Sequence, residues 1–380
     1  MLFWSVILIL VTIGLFILPL VPAIAELTRP TDIAPLRVVQ AYDNNPMHFA
    51  EGFQGYINKH FADAKEVDEH SEGTLPDGTN YHKVGADGHL NMASKTTDKL
   101  FFSRYALTLP DDRTFESEIY SQASLVTGIG SHFRALFGGQ SLVIGEGSTV
   151  WRWAHSDGDI VVGKNAMLNG RVTSRETMTL GVGTHFERLH AAKIMCGTEL
   201  GPVAVPQIER IVLEELEGVK TKAGRRSLLE GDLNFPAGHS FDGDIVAGST
   251  AIIGDNVYIK GNIKSNALND LAHYLHSTGV ADEHKGSARC EIGDYVQIDG
   301  AVISTHDLYI GRHCRILGPV IAENLLVIRS GTIIGTAEHP CTVTAPEIII
   351  ESGCMVYGSL WAAEQGVVHD PLTAEKEVAA

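Results

Sequence analysis

The sequence predicts a mainly β protein: a three-sided parallel β-helix of about nine 18-residue coils with two inserted helical excursions, preceded by an N-terminal transmembrane helix and a small α+β domain. Three observations predict it. An aliphatic residue recurs every eighteen positions between 141 and 365, the first 25 residues carry no charged side chain, and the stretch between them shows no repeat. The reading divides the chain into an anchor (1–25), a mixed domain (26–140), the β-helix (141–365, with insertions 198–232 and 266–289) and a polar tail (366–380).

Met1 to Ala25 is almost wholly Leu, Ile, Val, Phe and Trp, and about 20 apolar residues suffice to span a bilayer core. No Lys or Arg precedes it, and Arg29 and Arg37 follow it. These point to an uncleaved single-pass membrane anchor with the bulk cytoplasmic. Ala23-Ile24-Ala25 also resembles a cleavage site, and cleavage would make the chain an exported surface protein. In 26–140, Phe49, Phe53, Tyr56, Ile57, His60 and Phe61 fit one helical face, and Pro76-Asp77-Gly78 reads as a turn.

The repeat starts at Ile144, Val162, Leu180, Phe235, Ile253, Ile292, Ile310, Ile328 and Ile350. Six residues on stand Val150, Leu168, Phe186, Phe241, Ile259, Ile298, Ile316, Ile334 and Val356, all apolar. Inward residues come in pairs two apart, at −2 and 0, +4 and +6, +10 and +12; a spacing of two is the side-chain period of a strand. Three short strands per coil result, with corners at Gly163, Gly170, Gly243, Gly254, Gly261, Gly293, Gly300, Gly311, Gly318 and Gly358, where φ can be positive. Stacked coils lie about 4.8 Å apart, and one coil alone cannot bury enough to offset its ordering entropy. The steps from Leu180 to Phe235 and from Ile253 to Ile292 are too long by 37 and 21 residues. Both extras carry helical spacing: Ile208, Ile211, Val212 and Leu216, then Leu268, Leu271, Ala272 and Leu275.

The coil Ile253-Gly254-Asp-Asn-Val257-Tyr-Ile259-Lys-Gly261-Asn-Ile263-Lys-Ser265, matched by Val162-Gly163 through Ser174, resembles the bactofilins, bacterial polymer-forming cytoskeletal proteins. The resemblance implies a β-helix that polymerises end to end without nucleotide, attaches to membrane (the inner membrane of a bacterium, given the single-pass anchor) and acts as a scaffold for other proteins. The two insertions, residues 26–140 and the irregular coil at Trp151-Arg152-Trp153 depart from that pattern.

The expected function is therefore a membrane-anchored, self-associating scaffold in cell shape or organisation, with no cofactor, no catalytic residue and client proteins that the sequence does not name. A net charge of −17 disfavours nucleic acid. Two enzyme readings compete. A hexapeptide-repeat acyltransferase would use His273, His276 or His284 in the second insertion. A γ-type carbonic anhydrase would place zinc among His155, His185 and His190, imidazole being a good zinc ligand. His190 falls at +10, an inward position, which favours packing. Cys290, Cys314 and Cys354 also fall inward and behave there as small apolar residues. Walker A, GxSxG and HExxH signatures are absent.

Overall fold

The computed structural model describes residues 3, 7, 8, 12, 45–61, 70–90, 92, 94–198, 210–213, 220–222, 226–229, 231–265 and 289–371. It divides into two compact units, Met1–Asn45 and Pro46–Ala380. In the first, Phe3, Ile7, Leu8 and Thr12 are helical, and the Thr12 hydroxyl donates to the Leu8 carbonyl at 2.8 Å. The rest of the expected anchor lies outside the described residues, among which no helix is long and apolar enough to cross a membrane.

The second unit is a parallel β-solenoid of about 13 turns with one short helix. Strands such as Asp307–Ile310 and Leu325–Ile328 alternate half-buried and buried residues, as a period of two requires. Every repeat start and every +6 residue named above from Ile144 to Val356 is buried. One apolar core runs without interruption from Val84 to Val368.

The solenoid starts well before residue 141, so 26–140 is not set apart as a mixed domain. Leu100–Ser103, Thr114–Ser121 and His132–Gly138 stack in parallel, and His132–Gly138 stacks on Thr149–Ser156. Phe115 lies over Phe133 with rings 5.3 Å apart in the core. The periodicity hides here for two reasons. The start before Ile144 is Thr127, which is polar, and the turn between them is one residue short (Phe115 to Phe133 is eighteen, Phe133 to Val150 seventeen). The helix expected from residues 49–61 is present as His48–Phe61. The turn at Pro76–Gly78 joins the antiparallel strands Ser71–Thr74 and Asn80–Val84.

The 55-residue step from Leu180 to Phe235 is not an excursion from a continuous stack. Leu233–Phe235 pairs with Ala251–Ile253, not with the turn holding Leu180. His185–Cys196 pairs instead with the last described strand, Met355–His369, in antiparallel register from His185↔Val367 to Met195↔Met355. There are thus two stacks, joined last turn to last turn. Two solenoids of one hand that meet tail to tail wind in opposite senses when viewed from one side, so their strands must run antiparallel. The chain leaves the first stack at Cys196 and reappears at Arg210 at the far end of the second. There Ile211–Val212 pairs with His239–Asp242, and Arg226–Leu229 with Asp244–Ala247. Ile211 and Val212, expected on a helix, are therefore strand residues. Residues 266–288, with the second expected helix, lie outside the described residues. Nor is 366–369 tail: it closes the strand Met355–His369.

Within the second stack three parallel ladders run from turn to turn, one of them linking Leu233–Phe235, Ala251–Ile253, Arg289–Ile292, Asp307–Ile310 and Leu325–Ile328. The corners between ladders follow two rules. Positive φ recurs three residues after each start, at Asp112, Gly130, Gly147, Asn165, Gly183, Gly238, Asn256, Tyr295, His313, Gly331 and Gly353. Of the glycines expected at corners, only Gly170, Gly243 and Gly358 have positive φ. The others answer to the second rule, close approach. A Cβ on Gly311 would collide with the Gly293 backbone, one on Gly293 with Gly254, and one on Gly300 with Gly261.

Replacement of Gly311 by Ala should destabilise the chain by about 1–3 kcal/mol, since neither backbone can yield. Gly52, on the exposed face of the helix with nothing near its Cβ position, should gain up to about 1 kcal/mol on the same change. Chemical denaturation of the two variants measures both signs.

Candidate functional site

Three features stand out from the regular stack: a covered outer wall, a cleft at the junction, and the first turn of the second stack.

Helix His48–Phe61 lies over the outward face of one wall. It buries Ala50, Ile57 and Phe61 against Leu100, Phe102, Tyr120, Ala135, Phe137 and Trp153. Because turns superpose, outward residues one turn apart stack: Phe102 on Tyr120 at 5.7 Å, Tyr120 on Phe137 at 4.7 Å, and Phe137 on His155 at 5.2 Å. Thr173 and His190 continue the ladder in register. The 17- and 18-residue recurrence of Phe102, Tyr120, Phe137, His155, Thr173 and His190 was a legible signal that the inward columns overshadowed.

His155 is 1% exposed. Its Nε2 donates to Asp157 at 3.3 Å, which fixes the tautomer, and the Thr173 hydroxyl donates to Nδ1 at 2.7 Å. Asp157 also accepts from Arg175 at 2.8 Å, and Arg175 lies 3.4 Å from Glu51 of the helix. The order hydroxyl, imidazole, carboxylate is that of a nucleophile relay. Here, however, Thr173 and His155 are both buried, at 2% and 1% exposure, and the contacts from His155 through Asp157 and Arg175 to Glu51 link wall to helix.

His190 is not a core residue. A bulge shifts the register between Leu168 and Arg171 on one strand and Phe186 and Arg188 on the other, so Val172 pairs with Leu189. Leu189 and Ala191 take the inward places, and a one-residue slip turns His190 outward. Its Nδ1 meets Ser359 Oγ across the junction at 2.8 Å. His185 lies on a different wall, beside Gln365. The structure therefore does not bring His155, His185 and His190 together; among the described residues no group of three or more His, Cys, Asp or Glu side chains could hold a metal ion. His273, His276 and His284 lie outside the described residues.

The cleft at the junction has a volume of about 520 Å³ and is lined by residues of both last turns and their neighbours, including Asn165, His185, Glu347, Gln365, His369 and Asp370. It follows from the antiparallel contact, because two rims that wind oppositely do not superpose at their corners.

At the other end of the second stack, Ile211 and Val212 are 63% and 70% exposed on its first turn. Leu233–Phe235, on the same turn, has a strand partner on one side only among the described residues.

All five cysteines are buried free thiols. Burial pushes Cys196, Cys290 and Cys314 up to about 12. No family model, no curated protein and no solved structure matches this chain.

Two expectations follow. Desolvation lowers the pKa values of His155 and His190 below the ordinary value near 6.5. The unfolded chain then binds more protons, so stability is complete above about pH 6.5 and falls as pH drops toward the folded values, by up to about 1.4 kcal/mol per pH unit for His155. Denaturant midpoints measured across that range should flatten in a His155→Phe variant. The native chain should also resist Ellman's reagent, and the unfolded chain should release five thiols.

Proposed function

We propose that the chain is a non-enzymatic, bactofilin-like scaffold, tethered to membrane by residues 1–25, that associates with itself through solenoid ends and organises client proteins. The observation that carries this reading is the antiparallel pairing of His185–Cys196 with Met355–His369. Within one molecule, two solenoid ends already adhere by strand pairing and a shared core. The exposed Ile211–Val212 strand, which has a partner on one side only among the described residues, offers a second such end, and a strand edge with apolar side chains invites pairing. The charge-free stretch from Met1 to Ala25 supports the tether.

Full-length chain in detergent should sediment as dimers or larger species at micromolar concentration. The double change Ile211→Lys, Val212→Lys should weaken association at least tenfold while leaving the far-ultraviolet spectrum unchanged. A wild-type chain that stays monomeric, or a double variant that associates equally well, would overturn the reading. Resistance to alkaline extraction from membranes, lost when residues 1–25 are removed, tests the tether separately.

A further inference from the structure

We propose that His70 and His82 form a binding site for one divalent transition-metal ion, zinc or copper(II), at the start of the first stack. His82 lies on Asn80–Val84, directly opposite Glu72 on Ser71–Thr74. Its Nδ1 donates to Glu72 Oε1 at 2.9 Å. His70 Nε2 donates to both oxygens of Asp87, at 3.0 and 3.1 Å. An ionised carboxylate can only accept. The protons of the neutral rings therefore sit on the far nitrogens, and the two remaining nitrogens carry lone pairs.

Those two nitrogens, His70 Nδ1 and His82 Nε2, face one another at 3.3 Å. Opposed lone pairs at that distance repel unless a cation lies between them. Zinc–nitrogen bonds of 2.0–2.1 Å at a tetrahedral angle set two imidazole nitrogens about 3.3 Å apart, the separation observed. The rings stand at 79° to each other, so both lone pairs can reach one point without ring collision. Carboxylates on the far nitrogens are the usual outer shell of metal-bound histidine; they fix the tautomer and raise ligand basicity. Glu72 also pairs with Lys99 at 2.6 Å, which leaves the cluster one net negative charge to meet a dication. Imidazole suits zinc and copper rather than magnesium or calcium. No third His, Cys, Asp or Glu converges among the described residues, so water fills the other positions. A bound ion would cross-link His70 to the hairpin and fasten the solenoid's first edge.

The test is titration of the full-length chain near neutral pH with zinc or copper(II) alone, followed by calorimetry and, for copper, electron paramagnetic resonance. One equivalent should bind in the micromolar range with two nitrogen ligands. The His70→Ala and His82→Ala variants should each lose at least tenfold in affinity. Glu72→Gln and Asp87→Asn, which leave the ligands in place, should lose about 10–100-fold. His70 precedes the strand, so its variant tests the site even where His82→Ala fails to fold. A pair held by a shared proton would bind neither ion more tightly in the wild type than in His70→Ala, and that result would overturn the proposal.

Discussion

The constraint on which the rest of the molecule depends is that a solenoid's last turn exposes a full circuit of unpaired backbone and a disc of apolar core. Most stacks cover that end with a helix or loop. Here the two last turns cover each other, from His185↔Val367 to Met195↔Met355. Backbone bonds reach beyond the paired strands: Gly353 N donates to Cys196 O at 2.7 Å and Gly183 N to Val368 O at 2.8 Å. Inside, Leu189, Ile194, Val356 and Leu360 belong to one core. This single contact explains why the chain breaks its repeat after Cys196 and restarts it at the far end. A second stack grown onward from Cys196 would have left its own last turn open.

The composition follows from the corners. Where the ladders turn, the next turn's N–H groups lose their strand partners, and carboxylates and amides take them. Asp111 accepts from Ile129 N, Asp159 from Thr177 N, Asp232 from Thr250 N, Asp244 from Asn262 N and Asp294 from Arg312 N, each eighteen residues on. Across the long second insertion the same bond links Asp255 to Asp294 N at 2.8 Å. Two like charges about 5 Å apart in water repel by roughly 1 kcal/mol or less, whereas a hydrogen bond to a charged group contributes about 1.5–3 kcal/mol. The bond outweighs the repulsion, and part of the net charge of −17 is a consequence of this capping rather than of any partner.

Much of the fold was legible because inward columns obey a period of two within a strand and of eighteen between turns. Ile292, Ile298, Ile310 and Ile316 could be placed inside from spacing alone, and so could Cys290. What escaped was whatever broke that arithmetic by one residue. A bulge between Leu168 and Arg171 exchanged Leu189 for His190 on the neighbouring strand, and a seventeen-residue turn concealed the three aromatic-rich strands Leu100–Ser103, Thr114–Ser121 and His132–Gly138. Reversal of stacking direction was illegible in principle. Each stack has the same local pattern in either orientation, and only long-range pairing of Cys196 with Cys354 reveals which rims meet. The candidate metal pair was hidden for another reason: His70 and His82 are twelve apart with a hairpin turn between them, and only the register Glu72↔His82 brings the rings together.

The junction also alters what self-association can mean. Polymers of a simple solenoid add first turn to last turn, a heterologous contact that does not close and gives filaments with a direction. In this molecule both last turns are spent internally, and both outer ends are first turns. A first turn can meet only another first turn, and two such ends of one hand pair antiparallel, as the last turns do. Where like ends meet, the contact is isologous and closes as a twofold dimer; where one end meets the other, it is heterologous and does not close. At the end bearing Ile211 and Val212, Lys220–Lys222 pairs antiparallel with Arg226–Leu229, while the exposed Ile211–Val212 strand has a partner on one side only among the described residues; the opposite end carries the hairpin of Ser71–Thr74 and Asn80–Val84. On the proposed scaffold reading, a dimer through the Ile211–Val212 strand is the first assembly, and a filament built from like-end contacts alone would need the other end as well and would have no polarity.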